Sequence, residues 1–125
     1  MGGKILVVDD SMLVRRQVGQ ALSKEGFVLI EAVDGVDALE KLAANGDVAL
    51  VVCDVNMPRM NGLEFLEKKN GDAACRGVPV VMLTTEGQPE LIQKAKGLGA
   101  KGWIVKPFKA DLLASAARKL TATPA

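Results

Sequence analysis

The chain has no histidine among its 125 residues, and that absence removes a large part of ordinary protein chemistry. There is no imidazole to act as a general base, to ligate zinc or to carry a phosphoryl group for transfer within the chain. Tyrosine is missing too, and one tryptophan with three phenylalanines brings the aromatic fraction to only 3%. A core must therefore be built from Val, Leu, Ile, Ala and Met, which dominate a hydrophobic fraction of 49%. The two cysteines, Cys53 and Cys75, lack CxxC spacing and read as free thiols in a reducing compartment. Neither sign of charge is in excess. Sixteen Lys plus Arg against fifteen Asp plus Glu leave +1, which excludes the basic field of a nucleic-acid binder. Long apolar runs are also absent. Ile5-Leu6-Val7-Val8 is too short for a signal peptide or a membrane span, and Leu6 stands where myristoylation after Gly2 needs Ser or Thr. The expectation is a soluble, cytoplasmic protein with no membrane and no nucleic acid among its partners.

What is there is a regular alternation. Ile5–Val8, Phe27–Ile30, Val48–Cys53, Val80–Leu83 and Trp103–Val105 read as strands, mostly continuous apolar runs of the kind covered on both faces. Helical patterns lie between them. Val14, Val18, Ala21 and Leu22 form one stripe, and Leu112, Ala116 and Leu120 form another in the last helix. Gly26, Gly46 and Gly99 stand where helices should stop, Pro89 where one should start, and Pro79 at the head of a strand. No linker or low-complexity tract intervenes, so residues 1–125 read as one domain with a frayed tail near Thr121–Ala125. Five βα units imply an α/β doubly wound parallel sheet, being too few for a barrel.

In such a sheet, ligands bind beyond the carboxyl ends of the strands. The first strand is followed by Asp9-Asp10, the third by Asp54, the fourth by Thr84-Thr85 and the fifth by Lys106-Pro107; the second ends in Glu31-Ala32. With the second strand at an edge, in the flavodoxin-like order 2-1-3-4-5, the four informative ends meet at one rim. Taken singly, each has an ordinary reading. The acidic pair suits a helix N-terminus, Asp54 a turn before Met57-Pro58, Lys106-Pro107 a surface turn, and Thr84 a strand end. Jointly they suit a hard cation and a phosphate. Three clustered carboxylates repel one another unless a cation compensates, and oxygen ligands without Cys or His favour Mg2+. Lys106 adds a second positive charge and Thr84 a hydroxyl donor for an incoming phosphoryl group, while Asp54 can act as the nucleophile.

The stretches Ile5-Leu6-Val7-Val8-Asp9-Asp10-Ser11, Asp54-Val55-Asn56-Met57-Pro58 with Asn61-Gly62, Leu83-Thr84-Thr85-Glu86 and Gly102-Trp103-Ile104-Val105-Lys106-Pro107-Phe108 resemble the receiver domain of two-component response regulators. Within that family they are most similar to stand-alone chemotaxis regulators of the CheY type. The resemblance implies a (βα)5 CheY-like fold with Asp54 as phosphoacceptor. It implies Mg2+ held by Asp9, Asp10, Asp54 and the backbone carbonyl of Asn56. Thr84 becomes the switch hydroxyl and Lys106 the lysine that bridges to Asp54 and the phosphoryl group, with a cis bond to Pro107. Asn56 and Glu86 occupy the positions that tune hydrolysis. Trp103 departs from the family's usual Tyr or Phe at the aromatic switch position and lacks the phenolic hydroxyl. The structural alternative for it is a fixed aromatic plug.

The chain ends after one domain, so the expected output is protein–protein contact through helix four, strand five and helix five, with Glu86, Gln88, Ile92, Trp103, Phe108 and Lys109 as contributors. The expected partners are a histidine kinase as phosphodonor, a flagellar motor switch or other motility protein as target, and a phosphatase. The alternatives are a phosphate sink or phosphorelay intermediate, or an aspartyl-phosphate-forming phosphatase. The last is disfavoured because Asn56 stands where haloacid dehalogenase-like enzymes place a second Asp. The chain is thus expected to be no enzyme beyond its own autophosphorylation and autodephosphorylation.

Overall fold

The computed structural model describes residues 3–73, 75 and 77–121. Five strands alternate with five helices: β1 (Lys4–Val8), α1 (Met12–Ser23), β2 (Val28–Ala32), α2 (Gly35–Ala44), β3 (Val48–Cys53), α3 (Gly62–Asn70), β4 (Val80–Thr84), α4 (Pro89–Gly97), β5 (Gly102–Val105) and α5 (Ala110–Thr121). All neighbouring strands are parallel, in the order β2-β1-β3-β4-β5. This is the expected doubly wound sheet.

The apolar runs are continuous because the two faces of the sheet bury alternate residues of one strand. On one face Leu6, Val8, Val51, Cys53, Val80 and Met82 pack with Ala38, Leu42, Phe65, Leu66 and Ala95 from α2, α3 and α4. On the other, Ile5, Val7, Leu50, Val52, Val81 and Leu83 meet Val18 and Leu22 of α1 and Leu113 and Ala117 of α5. Each fully buried Leu, Ile or Phe in these layers contributes on the order of 1.5–3 kcal/mol by leaving water.

Capping sets where the helices begin. The hydroxyl of Ser11 accepts from the Val14 amide at 3.3 Å, and the carboxylate of Asp34 accepts from the Asp37 amide at 2.8 Å. Asn61 and Glu64 form a reciprocal capping box at α3, and Pro89 opens α4. Gly26 and Gly99 leave α1 and α4 with φ of 89° and 93°, a region costly for any residue with a Cβ.

Local readings differ in four places. Phe27 precedes β2 instead of opening it, and is buried against α1 and α5. As the edge strand, β2 leaves Val28 exposed, so its pattern is not that of a strand covered on both sides. The stripe expected in α5 is rotated: Leu112 is 55% exposed, whereas Leu113, Ala114 and Ala117 are buried and Ala116 and Leu120 flank them. The Ala-rich helix carries two apolar rows, and periodicity alone does not say which one faces the sheet. Thr121 is still helical, its hydroxyl donating to the Ala117 carbonyl at 2.7 Å, while the expected tail beyond it lies outside the described residues. No described helix is long and apolar enough to cross a membrane.

Candidate phosphoacceptor and metal site

The carboxyl ends of β1 and β3 are held together by their backbones. The Asp54 amide donates to the Val8 carbonyl at 2.9 Å, and the Asp9 amide to the Ala32 carbonyl at 3.1 Å. This places Asp9, Asp10 and Asp54 side by side, each offering a carboxylate oxygen within 4.8 Å of the others. Asp9 and Asp54 are buried and Asp10 is exposed, so the cluster has a buried floor and one open edge.

Lys106 enters from β5. Its Nζ lies 2.8 Å from Asp9 Oδ2 and 3.5 Å from Asp54 Oδ2, with the side chain 15% exposed. The expected bridge to Asp54 is thus present as the longer arm, and the shorter one goes to Asp9. Three carboxylates against one ammonium leave two negative charges in excess, at a site made only of oxygen donors. That composition fits a hard divalent cation. Asp9 Oδ1 accepts from the Ser11 amide at 2.9 Å, and Asp54 Oδ1 from the Val55 amide at 2.7 Å, so backbone donors fix both carboxylates in orientation. The Lys106–Pro107 bond is cis, as the motif implied.

Thr84 ends β4 fully buried, its hydroxyl accepting from the Glu86 amide at 3.3 Å and its carbonyl accepting from the Lys106 amide at 2.8 Å. The Trp103 indole Nε1 donates to the Glu86 carbonyl at 2.8 Å. Trp103 and Ile92 line one small groove of about 70 Å3 with Ala95, Lys96 and Ala100. Phe108 does not join that groove. It packs on the α1/α5 side of the sheet and borders a cavity of about 460 Å3 beside Lys106, with Gln17, Gln20 and Thr85. Lys109 and Gln88 are exposed and Glu86 is half-buried. Asn56 is exposed in the loop between Asp54 and α3. Cys53 is buried in the core, its thiol 3.2 Å from the Asp54 carbonyl; burial first, then the Asp54 and Asp9 charges, push its pKa well up. It is an inert core residue.

A family model described as the response regulator receiver domain matches residues 5–118. The chain belongs to the response regulator receiver family. It is 42% identical over 111 residues to the chemotaxis protein CheY1 of Helicobacter pylori, covering 88% of this chain and 90% of that one. It is 46% identical over 112 residues to the chemotaxis protein CheY of Treponema pallidum, covering 84% and 73% respectively. The structure of Vibrio cholerae CheY4 superposes with a TM-score of 0.88 at 37% identity, over 96% of this chain and 99% of that one. A structure described as the CheX–CheY–BeF3–Mg2+ complex of Borrelia burgdorferi gives a TM-score of 0.89 at 28% identity, over 96% and 90%.

Two braces around the rim escaped the sequence reading. Arg15 donates from Nη1 to the Asp9 carbonyl at 2.6 Å and from Nε to Glu31 at 2.7 Å, tying α1 to the rim and to the end of β2. Asp34, one of five buried polar or charged residues described, takes a two-pronged contact from Arg59. An Asp-Gly dipeptide such as Asp34-Gly35 is compatible with any turn or helix start, and nothing in it announces a partner on the β3–α3 loop.

Proposed function

We propose that the chain is a phosphorylation-activated response regulator in which Asp54 accepts a phosphoryl group from a histidine kinase in a Mg2+-dependent step. The single observation that carries the reading is the clustering of Asp9, Asp10 and Asp54 at the strand ends with Lys106 on two of them. Asp9, Asp10 and Asp54, with the Asn56 carbonyl, are the residues that would hold the metal. Mg2+, when bound there, supplies positive charge against the phosphoryl oxygens.

The remaining chemistry belongs to the chain. Asp54 attacks phosphorus, and its oxygen–phosphorus bond forms as the bond from phosphorus to the donor imidazole nitrogen breaks, the electron pair leaving with that nitrogen. Lys106 is the second cation against the transferred charge. The Thr84 hydroxyl accepts from the Glu86 amide, so its own proton is free to donate to a phosphoryl oxygen. In this reading the chain is a phosphoacceptor with autophosphorylation and autodephosphorylation, not a turnover enzyme. The output is protein contact in chemotaxis or motility, with a motor switch protein as target. The chemotaxis relatives and the CheY complex that contains CheX, BeF3 and Mg2+ support that assignment, and a phosphatase is proposed as a further partner.

Intact-mass spectrometry after incubation with acetyl phosphate tests the chemistry. The expected result is one added phosphoryl group with Mg2+ present, none after chelation, and none in Asp54→Asn. An adduct that persists in Asp54→Asn would move the phosphoacceptor elsewhere.

A further inference from the structure

The loop from Asp54 to α3 must carry Asn56 past the acidic cluster, and it is clamped at both ends. At its base the Gly62 amide donates to the Val55 carbonyl at 2.9 Å. A Cβ at Gly62 would fall on the Asp54 carbonyl, so only glycine lets the loop close here. At its tip Arg59 adopts φ of 62°, a left-handed conformation that is rare and unfavourable for a long side chain. A residue persists in such a region when its surroundings over-determine it, and these surroundings do.

The Arg59 guanidinium forks onto Asp34, with Nε 2.7 Å from Oδ2 and Nη2 3.2 Å from Oδ1. Beside it, the Gly35 amide donates to the Met60 carbonyl at 3.0 Å. A Cβ on Gly35 would lie 2.6 Å from Met60 Cγ, so the approach of the two segments also depends on glycine. Asp34 is buried while the Arg59 side chain is 59% exposed. The hydrogen bond from Arg59 holds the Asp34 carboxyl below its ordinary range despite that burial. The start of α2 is therefore joined to the tip of the loop whose other arm bears Asn56.

We infer that Asp34 and Arg59 are positioning residues for the divalent cation: a latch from the start of α2 that fixes the β3–α3 loop so that the Asn56 carbonyl is presented to the acidic cluster before the ion arrives. The inference rests on the reading of the rim as a Mg2+ site. Groups that orient metal ligands from outside the coordination shell typically change affinity 10–100-fold when removed, and a loop carbonyl is more easily misplaced than a side chain on a strand.

Asp34 has a second role that the test must separate, because its Oδ1 also caps α2. Asp34→Asn keeps an amide oxygen for that cap while losing the charge for Arg59. Arg59→Gly tolerates the left-handed backbone while removing the guanidinium. Mg2+ titration by isothermal calorimetry is run on the wild-type chain, both single variants, the double variant and Asp10→Asn, well below each thermal midpoint. The expected result is binding in wild type, near loss in Asp10→Asn, about tenfold weakening in each latch variant, and a double variant no weaker than either single. Arg59→Lys, one ammonium in place of a fork, should recover only part of the affinity. Latch variants that bind Mg2+ within about twofold of wild type, even with lowered melting temperatures, would show a purely structural pair and overturn the inference while leaving the site intact. A wild-type chain that binds no Mg2+ would instead overturn the metal-site reading itself, and the latch with it.

Discussion

Lys106 has two carboxylates within reach and does not treat them equally. Its ammonium sits 2.8 Å from Asp9 and 3.5 Å from Asp54, so the stronger attraction goes to Asp9 and not to the proposed nucleophile. Asp54 Oδ2 carries only the longer contact, while Oδ1 is occupied by the Val55 amide. A compact point charge on a flexible stem can shift from Asp9 toward a phosphoryl oxygen as charge arrives there. A guanidinium is planar and larger, and its donors have a fixed spread. Lys106→Arg is therefore expected to keep part of its phosphoryl uptake from acetyl phosphate, measured by intact mass. It should lose most of the proposed phosphorylation-dependent gain in affinity for a motility target. Undiminished coupling in that variant would remove the role given to this lysine.

At the scale of elements, α5 offers a direct check on which face meets the sheet. Leu112 and Leu113 are neighbours in sequence, yet Leu112 is 55% exposed and Leu113 only 1%. Leu113→Ala removes methyl groups from a packed layer that also holds Val18, Leu22 and Leu83, and should cost about 2–5 kcal/mol in denaturant unfolding. Leu112→Ala should stay within about 0.5 kcal/mol, because nothing around it is left empty. Equal losses from the two would mean that α5 is rotated from the orientation described. The same helix marks a limit of pattern reading. Strand positions were legible because a strand covered on both faces must be apolar along its buried length, as β3 is throughout, β1 after Lys4 and β4 before Thr84. The carboxylates were legible because they break those runs abruptly at the ends. An Ala-rich helix gives no such contrast, since Ala116 and Ala117 suit either side. The Asp34–Arg59 pair was illegible for another reason: 25 residues separate two side chains that each have an ordinary local explanation, and only the crossing of α2 against the β3–α3 loop joins them.

Across the whole molecule, the buried rim and the β5 edge are connected through the backbone of one residue. The Glu86 amide donates to the Thr84 hydroxyl at 3.3 Å, and the Glu86 carbonyl accepts from the Trp103 indole at 2.8 Å. The ring at the expected aromatic switch position is thus half-buried and tethered by its indole N–H. If Thr84 turns its hydroxyl toward a phosphoryl group on Asp54, the Glu86 amide loses its acceptor, and the peptide carrying the indole's partner is free to reorient. Trp103 is the only tryptophan and there is no tyrosine, so intrinsic emission reports this one contact. Mg2+ with beryllofluoride is therefore expected to change both the intensity and the position of the Trp103 emission, because an indole N–H leaving a carbonyl alters its polar surroundings. The same addition should leave Asp54→Asn unchanged. Thr84→Ala should respond weakly while still taking up phosphate, since the Glu86 amide has already lost its acceptor in that variant. Glu86→Ala should respond like wild type, because the link runs through the backbone and not through the carboxylate. A spectrum indifferent to beryllofluoride, with uptake of phosphate confirmed by mass, would make Trp103 a fixed plug and send the signal out through another part of the surface.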